Sequence, residues 1–170
     1  MYRFLKSSIH DSQRGYFAYA LFKEMEKNKD VFLVVGDLGY KIFDRHFACF
    51  PERTFNTGAA EQSLIGISVG LALEGKIPFA YSITPFLLYR GFETIRNYIN
   101  REKIAVKLVG GGRGRDYLAD GWSHWAEEDK KVMRIFKNIK SYWPETKEEV
   151  PNLVKEMIKK KKPYYLNLKR

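Results

Sequence analysis

The sequence predicts an α/β protein, a mostly parallel sheet with helices on both faces. Three observations carry this expectation. Short apolar runs alternate with longer helical patterns along the whole chain. The apolar runs are continuous, as in strands buried on both faces, rather than alternating in and out. Apolar residues make up 45% of 170 residues, enough to build a substantial core.

The elements follow in order. Residues 12–28 read as an amphipathic helix with Phe17, Ala20, Leu21 and Met25 on one side. "VFLVV", 31–35, is a strand running into Gly-Asp-Leu-Gly, and 42–49 suits a short helix. "RTFNT" is a brief strand. A helix spans about 59–74 and stops at Gly75. "IPFAYSI" is the next strand and 86–101 the next helix. "KIAVKLVGGG" is a strand running into glycines, followed by a helix over about 124–135 and the strand "IKSYW". The helix 146–161 and the strand "PYYLNLKR" complete the alternation. Without linker, repeat or low-complexity tract, the expectation is a single domain over 1–170.

Composition excludes several classes. No apolar run is long enough for a bilayer span, and the opening "MYRFLKSSIHDSQ" lacks a signal-peptide core, so a cytoplasmic protein away from membranes is expected. Cys49 is the only cysteine, which rules out an internal disulfide. The net charge of +10 is densest at Lys159–Lys162. That run suits a solvated helix end beside the negative pole of the helix dipole. An anion-binding surface is the sharper alternative. The basic run has no interleaved aromatics and the chain has no nucleic-acid motif, so no nucleic acid is expected as a partner.

In parallel α/β sheets, ligands bind at the carboxyl ends of the strands. That rule selects Asp37, the Thr57–Glu61 turn, the 84–92 segment and the 110–124 loop. Glu61 is the one charge between Phe55 and Leu73. It heads a helix with a stripe of small residues (Ala59, Ser63, Gly66, Gly70) beside an apolar stripe (Leu64, Ile67, Leu71). Such a helix is expected to be largely buried, with another element close against its small face. A first-turn glutamate also complements the helix dipole. A buried carboxylate, however, needs a partner or a shared proton, and a ligand nitrogen would serve. Phe86, Tyr89 and Phe92, three residues apart, are ordinary core aromatics singly; together they suit a wall for a flat heteroaromatic ring. "GGGRGRDYLADGWSHW" fits neither a dinucleotide fingerprint nor a P-loop. His124 follows Ser123, a suitable N-cap, with Glu127, Glu128 and Asp129 in the first turns. With no second histidine at ligand spacing, no metal site is expected. A loop histidine there suits proton movement or an oxyanion.

These residues together resemble the pyrimidine-binding domain of transketolase-like, thiamine-diphosphate-dependent enzymes. "NTGAAEQSLIGISVGLALEGKIPF" is similar to the segment carrying that family's catalytic glutamate. "FLLYRGFETIRN" is similar to its ring-binding segment. "GWSHWAEEDKKVMRIFKNI" resembles its Gly-x-[Ser/Thr]-His…Glu-Asp-x-x-x-Met-Arg stretch. "SQRGYFAYAL", "VVGDLG" and "KPYYLNLKR" fit in the same order, so the resemblance covers nearly the whole chain.

The resemblance implies that Glu61 hydrogen-bonds the aminopyrimidine nitrogen N1′ and so activates thiazolium C2. It implies that Phe86, Tyr89 and Phe92 hold the pyrimidine, that Asp37 lies close to the thiazolium, and that His124 faces the substrate. The family also needs a Gly-Asp-Gly…Asn motif for Mg²⁺ and diphosphate, which this chain lacks. Whole transketolases continue into a further C-terminal domain. The expectation is a split enzyme, inactive alone. Its partner would be a separate chain carrying the diphosphate and Mg²⁺ site, in an α2β2 heterotetramer or larger. The reaction expected is two-carbon ketol transfer on a sugar phosphate or 2-oxo acid. The alternative is the small subunit of a two-chain 2-oxo acid decarboxylase. Arg113, Arg115 and Trp125 have no counterpart role in the resemblance.

Overall fold

A computed structural model describes residues 9–170; the first eight residues of the opening segment lie outside it. Six strands form one sheet in the order β2-β1-β3-β4-β6-β5. They are β1 (Val31–Val35), β2 (Thr54–Asn56), β3 (Ile77–Ile83), β4 (Lys107–Gly111), β5 (Lys140–Tyr142) and β6 (Tyr164–Leu168). Every pairing is parallel, with Val35 opposite Tyr81 and Ser82 opposite Gly110.

Both faces are covered, which is why the strands are apolar throughout. On one face lie α1 (Gln13–Lys27), α2 (Asp44–Cys49) and α6 (Val150–Lys159). Ser12 starts α1 by accepting a hydrogen bond from the Gly15 N–H. Phe17, Leu21 and Met25 of α1 and Val154 and Met157 of α6 meet Leu33, Val35, Tyr81 and Leu166 of the sheet in one core. On the other face lie α3 (Glu61–Leu73), the 86–101 segment and α5 (Asp129–Met133). Their core joins Leu64, Ile65, Leu88, Ile95, Met133 and Phe136 to Val34, Ala80, Leu108 and Tyr165. Thus neighbouring β1 and β3 send the chain to opposite faces, which opens a crevice beyond their carboxyl ends.

Two expected helices differ from the sequence reading. The 86–101 segment is helical, but Phe86–Arg90 and Ile95–Arg101 are wound in wide π-type turns around a short α turn, α4 (Phe92–Thr94). Such turns change which side chains share a face. The helix expected over 124–135 begins only at Asp129. Trp122–His124 is instead a separate tight turn. Ser123 therefore caps no helix; its Oγ lies 3.0 Å from His124 Nδ1.

The glycine run is explained by crowding rather than by phosphate binding. A Cβ on Gly110 would lie 2.5 Å from Thr84 Oγ1, and Gly112 has φ +94° with the Tyr117 ring where its Cβ would be. At the opposite end of the sheet, the Lys159–Lys162 run finishes α6. Buried Lys107 donates from Nζ to the Lys160 and Lys162 carbonyls at 3.0 and 2.6 Å. Burial, with Lys162 adding to it, pulls its pKa down to about 7.

Candidate functional site

Glu61 is the first residue of α3, at the carboxyl edge of the sheet, and only 2% exposed. Its carboxylate is held by two groups the sequence did not single out. Ser82, near the end of β3, donates to Oε1 at 3.0 Å. Arg90 donates from Nη1 to Oε2 at 2.7 Å. The arginine side chain is 46% exposed and its guanidinium lies 3.9 Å from the centre of the Phe86 ring. The expectation that a buried carboxylate needs a partner is met here by a mobile class of side chain rather than a fixed one. An arginine four residues beyond an aromatic on the same turn-rich segment is the signal that was available in the sequence.

Phe86 links Glu61 to His124. Its other neighbour is the His124 ring, edge-on with centroids 4.8 Å apart. His124 Nδ1 is engaged by Ser123, which leaves Nε2 as the nitrogen available to a ligand. Tyr89 is also at this edge, 44% exposed, and donates from its hydroxyl to Glu128 at 3.2 Å. Burial and the nearby Glu128 push the phenol up to about 12. Phe92, the third of the spaced aromatics, packs against Phe136 at 5.2 Å in the core of that face instead. The wide turns account for this, because they rotate residue 92 away from the direction an α-helix would give it.

Asp37 lies across the crevice, in the turn after β1, with φ +48°. Its backbone N–H donates to Asn56 Oδ1 at 3.1 Å, and its side chain is on a cavity of about 590 Å³. Arg14, Lys41, Tyr117 and Arg170 share that cavity. Tyr117 ties it to the histidine, with ring centroids 6.0 Å apart. The fold thus brings Glu61, Arg90, Phe86, His124 and Tyr117 into one run of contacts, with Asp37 on the basic cavity beside it.

The residues of the histidine loop divide into ligand-facing and structural groups. Arg113 is structural: its Nε and Nη2 donate to the Asn167 side chain and carbonyl at 2.7 and 2.8 Å. Buried Asn167 in turn donates to Thr84 Oγ1 and the Gly112 carbonyl, which ties the β3 and β4 ends to β6. Asp129, which opens α5, is buried and accepts from Trp143 Nε1 and Tyr165 OH at 2.6 and 3.1 Å. Arg115 pairs with Glu127 at 2.8 Å and stacks on the Trp125 ring at 4.4 Å. Among the described residues no cluster of three His, Cys, Asp or Glu is placed to hold a metal.

The small stripe of α3 was expected to lie under another element. It does not. A Cβ on Gly66 or Gly70 would meet nothing within 4 Å. Ser63 is exposed, and Ile67 is 44% exposed. Phe55, Thr57, Ser63, Ile67 and Leu71 line an open apolar groove along this face. The helix is buried through Glu61, Leu64, Ile65, Ser68 and Val69, with Leu71 and Ala72 partly buried against the same core.

Comparison with known proteins agrees with this architecture. Residues 12–170 match the family "Transketolase, pyrimidine binding domain". A putative transketolase C-terminal section from Methanocaldococcus jannaschii is 33% identical over 165 residues, covering 96% of this chain and 52% of the relative. One subunit of an apulose-4-phosphate transketolase from Actinobacillus succinogenes is 35% identical over 119 residues, 70% of this chain and 38% of the relative. A structure described as a split gene transketolase, inactive beta4 tetramer, superposes with a TM-score of 0.83 at 34% identity, over 95% of this chain and 52% of that one. Pichia stipitis transketolase shares the fold at TM-score 0.82 and 18% identity, over 94% of this chain and 25% of that one. The chain spans about half the length of the first of these relatives. With its parallel sheet, its buried glutamate at the head of α3 and a match over residues 12–170, the chain belongs to the transketolase pyrimidine-binding domain family.

Proposed function

We propose that this chain is the pyrimidine-binding subunit of a split, thiamine-diphosphate-dependent transketolase-type enzyme. The observation that carries the reading is Glu61, a carboxylate buried at the strand carboxyl edge whose Oε2 is held, among the described residues, by a half-exposed arginine. A ring nitrogen can replace that arginine without leaving a buried charge unpaired. When bound, thiamine diphosphate supplies a carbon nucleophile at thiazolium C2. Glu61 shares a proton with the pyrimidine nitrogen, and Ser82 keeps Oε1 oriented while it does so. Phe86 and Tyr89 pack the pyrimidine, and Phe92 supports that segment from the core. His124 serves the substrate side through Nε2, moving a proton or stabilising an oxyanion. Asp37 lines the basic cavity and would face the thiazolium of the bound cofactor.

The described residues fit the pyrimidine half of the cofactor, with a buried carboxylate whose arginine partner is half-exposed. The reading includes a separate chain that binds diphosphate and Mg²⁺, in an α2β2 assembly or larger. The uncovered face of α3 is the surface offered to it. A relative described as an inactive tetramer of β chains alone is in keeping with this dependence.

The test uses the assembled complex. Proton–deuterium exchange at cofactor C2 is expected to slow by ~10²-fold in Glu61→Gln, as for loss of a positioned acid–base group. His124→Ala is expected to leave exchange intact while turnover falls by a similar factor of ~10². An unchanged exchange rate in Glu61→Gln would return Glu61 to a helix-capping role. Calorimetry on the chain alone is expected to show weak cofactor binding; tight binding without a partner would overturn the split-site reading.

A further inference from the structure

Next to His124, at Ser123, lies a second pocket of about 370 Å³ that shares no lining residue with the basic cavity. Pro85, Tyr89, Trp122, Ser123, Trp125 and Glu128 line it. Its composition is unlike that of the cavity at Asp37. It has three aromatic rings and a carboxylate, and no lysine or arginine among its lining residues. Trp122 and Trp125 meet edge to face with centroids 5.9 Å apart. Trp122 is 69% exposed although it is the largest side chain type available. Trp125 is half-buried, and its Nε1 atom is enclosed, without a hydrogen-bond partner among the described residues.

The electrostatics select the sign of the ligand. The faces of indole and phenol rings carry negative potential and attract cations. Glu128 adds a carboxylate at the same wall, and Tyr89 remains a neutral phenol that donates to it. The chain already contains the contact in miniature, since the Arg115 guanidinium stacks on the Trp125 ring and is held there by Glu127. An anionic group would meet Glu128 and the ring faces, with repulsion from both. The cavity with Arg14, Lys41 and Arg170, whose lining also holds Asp37 and Asp44, is the more basic of the two.

We propose that the Tyr89–Trp122–Trp125–Glu128 pocket binds the positively charged, amine-bearing end of a ligand through aromatic faces and a carboxylate. Taking that ligand to be the substrate rests on the transketolase-type reading; the binding itself does not.

The three tryptophans make the test direct, because their indole N–H groups give separate signals in a proton–nitrogen correlation spectrum. The full chain is titrated with choline, a permanent cation with a hydroxyl. Its uncharged isostere 3,3-dimethyl-1-butanol and inorganic phosphate are the controls. Choline is expected to shift the Trp122 and Trp125 signals saturably and to leave Trp143, bonded to Asp129, in place. The uncharged alcohol and phosphate are expected to shift neither. Glu128→Gln is expected to weaken choline binding by roughly twofold to fivefold, as for an exposed ion pair. Trp122→Ala is expected to remove the Trp125 response to choline. An equal response to the alcohol would show a merely apolar surface and overturn the proposal. So would a preference for phosphate. So would a shift of Trp122 by the diphosphate-binding chain that blocks choline, since the pocket would then be a subunit contact. None of these outcomes bears on C2 exchange, so the proposal and the transketolase-type reading fail separately.

Discussion

Two buried carboxylates on the same face of this sheet are treated in opposite ways. Asp129, 4% exposed, accepts from the Trp143 indole and the Tyr165 hydroxyl, two rings themselves locked into the core. Glu61, 2% exposed, accepts from Ser82 and from an arginine that is nearly half in water. Both carboxylates are satisfied, as burial requires. They differ in whether a partner can leave. The partners of Asp129 belong to the scaffold, whereas the Arg90 side chain that pairs with Glu61 is half-exposed, which in the proposed function lets a ligand take its place. Burial of a charge does not by itself mark a functional site.

The comparison can be broken by substitution, and the largest effect falls on the scaffold member. Asp129→Ala leaves two buried donors unpaired and is expected to cost about 3 kcal/mol of stability, read by urea unfolding. Exchange at C2 per folded complex is expected to remain. Glu61→Gln is expected to do the reverse, with an exchange loss of ~10²-fold and a stability change under about 1 kcal/mol, because the amide still accepts from Ser82. Comparable stability losses in both variants would erase the distinction. Arg90→Ala sharpens it: loss of the half-screened pair is expected to cost about 1–2 kcal/mol in the free chain, and a pyrimidine bound at Glu61 in the complex is expected to restore part of that.

His46 offers a pH-dependent contrast with both carboxylates. It is fully buried between Phe22 and Phe43, and burial holds its pKa down at about 3 despite the Ala18 and Phe43 carbonyls. Between its ordinary value of 6.5 and that value, the unfolded chain binds a proton that the folded chain does not. Stability is therefore expected to fall as pH drops below 6.5, with a slope of about 1.4 kcal/mol per pH unit from this group. In His46→Leu that part of the slope is expected to vanish, which unfolding at two acidic pH values would show.

The smallest effect tests the open face of the helix that Glu61 begins. A methyl at Gly66 meets nothing, so Gly66→Ala is expected to stabilise the free chain by about 0.5–1 kcal/mol through helix propensity. The same methyl is expected to weaken assembly with the diphosphate-binding chain, measured by sedimentation. Stabilisation with unchanged assembly would mean that this face is not the subunit contact.

Much of this was legible in the sequence. Continuous apolar strands such as Val31–Val35 and Ile77–Ile83 could only be buried on both faces, and this determined the parallel sheet with its cover on both sides. The lone charge at residue 61 and the strand-end rule together located the crevice. Local pattern could not decide what depends on contacts between distant residues. Arg90 and Ser82 reach Glu61 from 29 and 21 positions away. The wide turns that send Phe92 into the core leave no mark in residue spacing, since three-residue periodicity is common to all helices. The stripe of small residues on α3 declared that something approaches closely, but only the tertiary structure showed that no described part of this chain does so. A sequence records which surfaces suit a cover; the assembled fold decides which of them the described residues cover themselves.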